Sequence, residues 1–218
     1  MKKLKDSDYD IIFSYLEELF PNADTELHFN TPFQLLVAVI LSAQTTDKQV
    51  NKVTDKLFQT IKEPQDILNM GLKKFEKSIN SINLYRNKAK YIYKTSEILA
   101  LNNWEIPKTE EELIKLPWVW EKTAKVVVYV LYKKPVIAVD THVHRVCNRL
   151  WIVQTKTALQ TSKLLEERIP SQYKLIAHHC IILFGRYQCM ARSPKCENCR
   201  LQSLCLYFTK NHQKKCLK

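Results

Sequence analysis

Glycine is nearly missing from this chain: 2 residues in 218, where ordinary usage of ~7% would give roughly 15. Backbone conformations that glycine adopts freely must therefore fall to other residues. Long apolar runs are also lacking. The stretch Leu35 to Leu41 falls far short of the ~20 residues that cross a bilayer, so it reads as a buried helix and no membrane role is expected. The start, Met1-Lys2-Lys3-Leu4-Lys5-Asp6, has charges with no apolar run behind them, which argues against a signal peptide. Alternating strand patterns with hairpin turns are absent, as are internal repeats and low-complexity linkers. These absences lead to the expectation of a cytoplasmic, folded, all-α protein.

Acidic residues are in deficit, with 22 Asp+Glu against 34 Lys+Arg and a net charge of +12. The surplus is spread along the chain, as in folded proteins that meet a polyanion, nucleic acid foremost. Hydrophobic residues at 45% and charged residues at 26% match an ordinary soluble globule. At this length the chain can bury a substantial core, as one large domain or two small ones.

Helical spacing predominates. Val50, Val53, Leu57 and Ile61 mark one helix face opened by Thr46 or Asp47. Gly71 stands where a short helix through Ile67 and Met70 should stop, and Ala89, Ile92, Tyr93 and Ile98 mark another helix. Thr109-x-x-Glu112 has the form of a capping box. Ser171 after Pro170 opens a helix for which Gly185 is the expected C-terminal stop. About ten helices with short connections follow, and a change in character near Pro135 divides the chain into two parts.

Four of the seven cysteines crowd together: Cys189, Cys196, Cys199 and Cys205, spaced C-x6-C-x2-C-x5-C. In a reducing compartment such a cluster binds metal more often than it forms disulfides. Four thiolates suit either zinc or a 4Fe–4S cluster. Arg192, Lys195 and Arg200 make the segment too polar for core. Cys147, Cys180 and Cys216 are not expected to be ligands.

Leu116-Pro117-Trp118-Val119-Trp120-Glu121-Lys122-Thr123-Ala124 joins the capped helix to an apolar one, Val126 to Tyr132. Lys122 starts that second helix, where a cation opposes the positive end of the helix dipole. This position favours a nucleophilic amine of the kind that forms Schiff bases, although a solvated surface lysine is the simpler reading of the residue alone. Asp140, before Thr141-His142-Val143-His144, is an N-cap whose amide donors keep a carboxylate ready to stabilise developing positive charge. His142 and His144 either approach phosphate or cap and pack. His178 and His179 lie on an apolar helix, and one of them reads as a hydrogen-bonded core histidine.

Together these segments resemble the endonuclease III family of the helix-hairpin-helix glycosylase superfamily, from about Thr25 to Tyr207. The resemblance rests on Pro32-Phe33-x-Leu35-Leu36, Leu41-Ser42-Ala43-Gln44-x-Thr46-Asp47, and Ala138-Val139-Asp140-Thr141-His142. Arg145-Val146-Cys147-Asn148-Arg149, Gly185-Arg186-Tyr187-x-Cys189 and the four-cysteine pattern complete it. It implies a six-helix barrel lobe at 25–134 with its helix-hairpin-helix at about 110–132. A second lobe, 1–24 with 135–218, would end in the cluster loop 189–205, with the active site in the cleft between lobes. By the same resemblance Lys122 attacks the sugar C1′ and Asp140 is its partner carboxylate, while Cys189, Cys196, Cys199 and Cys205 hold a 4Fe–4S cluster. Gln44 and Leu84 would plug the duplex once the damaged nucleotide is flipped out. Trp118, Val119, Trp120 and Thr123 of the hairpin, with Arg145, Arg192 and Lys195, are expected at the DNA. Adenine glycosylases of the superfamily share the cysteines but lack this lysine and carry a long C-terminal domain. The expected activity is therefore removal of damaged pyrimidines from double-stranded DNA and β-elimination at abasic sites, by a monomer working at the nucleoid.

The chain departs from the family in its hairpin, which elsewhere reads Leu-Pro-Gly-x-Gly. Trp118 and Trp120 replace glycines that permit positive φ and let amides approach phosphate. Trp104 and Trp151 also stand at glycine-like positions. All four codons are thus expected to specify glycine in the source organism, as UGA, with an AT-rich coding bias adding to the scarcity. As written, the chain is expected to bind DNA poorly. That leaves two alternatives beside the enzyme: a non-catalytic DNA-binding module of the same fold, and an iron–sulfur redox or sensing protein.

Overall fold

The computed structural model describes residues 4–216, with side chains as far as residue 211. Among the described residues there is no strand, and the helices in chain order are α1 (Asp6–Leu19), α2 (Pro32–Ser42), α3 (Asp47–Leu57), α4 (Pro64–Met70), α5 (Leu72–Ser78), α6 (Tyr85–Leu101), α7 (Glu110–Leu113), α8 (Glu121–Tyr132), α9 (Thr141–Arg149), α10 (Ala158–Arg168), α11 (Lys174–Tyr187) and α12 (Leu206–Cys216). Short 3-10 turns precede α11 and α12. The chain is all-α as expected, with two helices more than the periodicity suggested. The single turn α7 stands where the Thr109 cap placed a helix. No helix among the described residues is long and apolar enough to cross a membrane.

The backbone divides into two compact units. One is Thr25–Lys133; the other joins the chain before Thr25 to the chain after Lys133.

Unit Thr25–Lys133 is organised around α2. Thr31 caps it by accepting from the Gln34 amide at 3.2 Å, and Pro32 occupies the first turn, where its missing N–H is no loss. Every residue from Phe33 to Leu41 is buried, so α2 is enclosed on all sides, by α3, α6 and α8 among others. Gln34 is buried too. Its Nε2 donates to the Phe58 and Ile61 carbonyls, satisfying the end of α3. Thr46 caps α3, and Gly71, with φ of 80°, ends α4 where the sequence placed the stop. Thr109 caps α7 through the Glu112 amide, but the Glu112 carboxylate meets the Thr109 hydroxyl and not its amide, so the expected box is only half formed.

The other unit packs α1, α9, α10 and α11 around Phe13, Leu16, Val143, Val146, Leu165, Ile181 and Phe184, all at most 1% exposed. Burying each of these contributes about 1.5–3 kcal/mol. Phe13 stacks on Tyr173 with ring centroids 4.6 Å apart, and the Tyr173 hydroxyl donates to Asp10.

Gly185 corrects an expectation. It does not stop α11, which runs on to Tyr187. A Cβ at Gly185 would lie 2.9 Å from His142 Cβ and 3.3 Å from Val146 Cγ2, so glycine is there to let α9 and α11 cross closely. Sequence alone could not tell a packing glycine from a cap. Gly185→Ala is expected to destabilise the protein by about 1–3 kcal/mol through overpacking, read as a lower urea midpoint with an unchanged m-value.

Candidate functional site

The four clustered cysteines lie in one unit and line one cavity, together with Leu150, Phe184, Tyr207 and Phe208 among others. All four are free of disulfides. Among the described residues no three His, Cys, Asp or Glu side chains converge as they would around one ion. The four-thiolate donor set around one cavity fits 4Fe–4S chemistry. Burial pushes the Cys196, Cys199 and Cys205 thiols up, and an iron cluster held by them would favour the thiolate. Cys147 and Cys180 are buried in helices away from this set, as expected. The Cys216 side chain lies outside the described residues.

Two arginines of α9 shape this segment. Arg149 Nη1 donates to Cys189 Sγ at 3.3 Å and to the Met190 carbonyl at 2.8 Å, and its guanidinium lies 4.0 Å from the Tyr207 ring centre. A charge-assisted donor on a ligand sulfur stabilises the thiolate. Arg145 Nε donates to the Cys189 carbonyl at 3.1 Å, and its Nη2 to the Gly185 carbonyl at 2.7 Å. The Arg145 guanidinium thus ties α9 to the end of α11. Arg149 is the functional residue that motif reading passed over. Gln188 closes the loop with a pair of bonds to Lys195, 3.0 and 2.9 Å long. Arg192 and Lys195, held on this braced loop, are exposed. Tyr15 and Arg200 fasten it further: the Tyr15 hydroxyl donates to the Asn198 carbonyl, and Arg200 pairs with Glu18.

Asp140 caps α9, its Oδ1 accepting from the His142 and Val143 amides, each at 2.8 Å. The carboxylate is thereby held in one orientation, with Oδ2 unbonded to the described residues. His142 Nδ1 lies 3.2 Å from Arg145 Nη2, while His144 Nδ1 lies 2.6 Å from Thr161 Oγ1 and joins α9 to α10. Packing is thus the role of His144. His178 and His179 are both buried in α11, as expected of core residues.

Within unit Thr25–Lys133, Lys122 is the second residue of α8 and is exposed. Glu121 pairs with the buried Lys125 at 3.1 Å. Trp120 is the N-cap of α8 and gives no side-chain cap, so the first amides of the helix face outward beside an indole that is 67% exposed. Trp118 stacks on Tyr91 at 4.6 Å with φ of 62°. Val119 is 3% exposed and its amide donates to the Leu116 carbonyl, so its side chain packs the hairpin. Thr123 is half-buried. Gln44 and Leu84 are exposed at left-handed φ values of 57° and 56°.

Between these last two residues lies Lys88 of α6, 0% exposed. Its ammonium donates to the Leu41 carbonyl at 2.8 Å, the Ala43 carbonyl at 2.6 Å and Thr45 Oγ1 at 3.3 Å. Burial pushes it down from 10.5 to about 8. Between those values the unfolded chain keeps a proton that the folded chain has released. Stability must therefore rise with pH across that window, by about 3 kcal/mol in all. In Lys88→Met this increment is expected to vanish, as measured by urea unfolding from pH 7 to 11.

Residues 37–171 match the model of the HhH-GPD superfamily base excision DNA repair proteins, and residues 189–205 match the iron–sulfur binding domain of endonuclease III. The chain is 47% identical to endonuclease III of Bacillus subtilis (strain 168) over 199 residues, covering 90% of this chain and 91% of that protein. It is 43% identical to endonuclease III of Escherichia coli (strain K12), covering 91% and 95%. Among solved structures, a trapped endonuclease III–DNA covalent intermediate superposes with a TM-score of 0.88 at 44% identity, covering 96% of this chain and 99% of the other.

Proposed function

Because the chain belongs to the endonuclease III family of base excision DNA repair proteins, and is a DNA glycosylase and abasic-site lyase with a 4Fe–4S cluster, we propose that Lys122 is its nucleophile and Asp140 its partner carboxylate. Lys122 Nζ attacks C1′ of the damaged nucleotide, and the glycosidic bond breaks as the base leaves with its electron pair. Loss of a proton from the amine and opening of the sugar give an imine, from which β-elimination cleaves the 3′ phosphate bond. Asp140, its Oδ1 fixed by two amides, stabilises the positive charge that develops on the sugar.

The observation that carries this reading is an exposed amine on the second residue of α8, in a chain 44% identical to a protein whose structure holds a covalent DNA intermediate. A Schiff base is the covalent bond a lysine makes with a sugar aldehyde. The substrate is double-stranded DNA carrying damaged pyrimidines or abasic sites, met by a monomer at the nucleoid. Thr25–Lys133 acts as the barrel lobe and the other unit as the cluster lobe. Gln44 and Leu84 fill the gap in the duplex, Thr123 and the α8 N-terminus face phosphate, and Arg192 and Lys195 carry charge to the backbone. Family membership favours this enzyme over a non-catalytic module or a redox sensor, for neither has a use for Lys122 and Asp140 together.

Borohydride reduction during turnover on an abasic duplex is expected to trap a covalent adduct at Lys122. Lys122→Gln should lose the adduct and lower strand scission by at least ~100-fold; scission at the original rate would show that another group does the chemistry. The double variant Trp118→Gly/Trp120→Gly is expected to bind duplex DNA more tightly. The slope of log affinity against log salt should steepen by about 0.9 for each phosphate contact regained, and an unchanged slope would remove the hairpin from the DNA interface.

A further inference from the structure

We propose that Lys88 is the positioning residue of the duplex plug, fixing Gln44 and Leu84 against each other through one buried ammonium; this rests on the plug role given to those two residues above. Three observations converge on it. Helix α2 has no basic residue in its last turn, and its terminal carbonyls at Leu41 and Ala43 receive their cation from α6. A cation at a helix C-terminus complements both the unsatisfied carbonyls and the dipole. Gln44 follows Ala43 directly, and its left-handed φ of 57° turns the chain outward one residue beyond that contact.

On the other side, Lys88 lies one turn into α6, where its amide makes the ordinary helical bond to the Leu84 carbonyl at 3.1 Å. Leu84 is the N-cap of α6, with φ of 56° and its side chain 44% exposed. Both plug residues thus leave the surface from strained backbone, a state that persists only where the surroundings over-determine it. The Lys88 side chain supplies that determination by fastening the segment before Gln44 to the first turn of α6, the turn that Leu84 caps. A second link, Gln49 Nε2 to Ser81 Oγ at 3.1 Å, joins the same two segments near the surface.

The test is a double-mutant cycle on a thymine-glycol duplex with 2-aminopurine next to the lesion. Single-turnover excision and fluorescence are normalised to the borohydride-trappable fraction, so that misfolded protein does not count. Lys88→Met alone is expected to slow excision on the order of 10- to 100-fold and to reduce the 2-aminopurine signal of an opened stack. Added to Gln44→Ala/Leu84→Ala it should cost almost nothing more, because it acts through those residues. Thr45→Val, which removes one acceptor and leaves the core intact, should act in the same direction to a smaller extent. Full additivity of Lys88→Met with the plug substitutions overturns the proposal while leaving the plug itself standing. If Gln44→Ala/Leu84→Ala excises at the original rate, the plug reading fails and the proposal falls with it.

We also infer, from the backbone, that Trp104, Trp118 and Trp151 stand where the natural polypeptide carries glycine. Their φ values are 63°, 62° and 61°. Three of the four tryptophans thus lie in the left-handed region, against five of all the other non-glycine residues described. A bulky residue there is a genuine outlier, because its Cβ crowds the following carbonyl. Trp120, with φ of −89°, is not included on this ground. Peptide mass spectrometry of the protein from its own source should read glycine at the three positions; tryptophan at any of them overturns the inference there. In the chain as written, Trp104→Gly is expected to raise Tm by about 2–4 °C, and a lower Tm would argue for a native indole.

Discussion

A helix ends in carbonyls that its own backbone cannot satisfy, and a chain with two glycines has few left-handed caps with which to satisfy them. The need is met here by side chains reaching in from neighbouring helices. Lys88 serves the end of α2, Gln34 the end of α3, and Arg145 and Arg149 the end of α11 and the loop beyond it. Each of these donors is buried or half-buried, so each fixes the relation between two elements as well as satisfying an acceptor. The parts assigned to DNA chemistry are attached to those fixed points.

The cluster unit is braced by side chains of this same kind. Arg149 holds Cys189 through both sulfur and carbonyl, and Gln188 pairs with Lys195 across the loop. The close crossing of α9 and α11 at Gly185 places both arginines within reach. Cluster ligation and the exposed charges of Arg192 and Lys195 therefore share one scaffold. A cluster held by these cysteines would add thiolate stabilisation and a further tie across the segment that carries those charges.

Much of the site could be read from residue order. Lys122 at a helix start and Asp140 as an N-cap follow from local rules, since the capping oxygen and its amides lie within three residues. The cysteine spacing is equally local. Contacts that depend on a distant partner could not be read in this way. The bonds from the Arg145 guanidinium to the Gly185 and Cys189 carbonyls, and the burial of Val119 in its hairpin, are of this kind. Lys88 gave no signal, being one lysine among many, because its acceptors lie more than forty residues back along the chain.

The amino-acid order alone determined the all-helical class, the starts of most helices, the cysteine set and the likeness to a repair family, because capping, periodicity and ligand spacing act over a few residues. Tertiary structure decided which glycine packs and which ends a helix, which arginines face inward, and which lysine is sealed beneath the surface. Those outcomes depend on groups far apart in sequence meeting at hydrogen-bond and van der Waals distances, and only the folded chain brings them together.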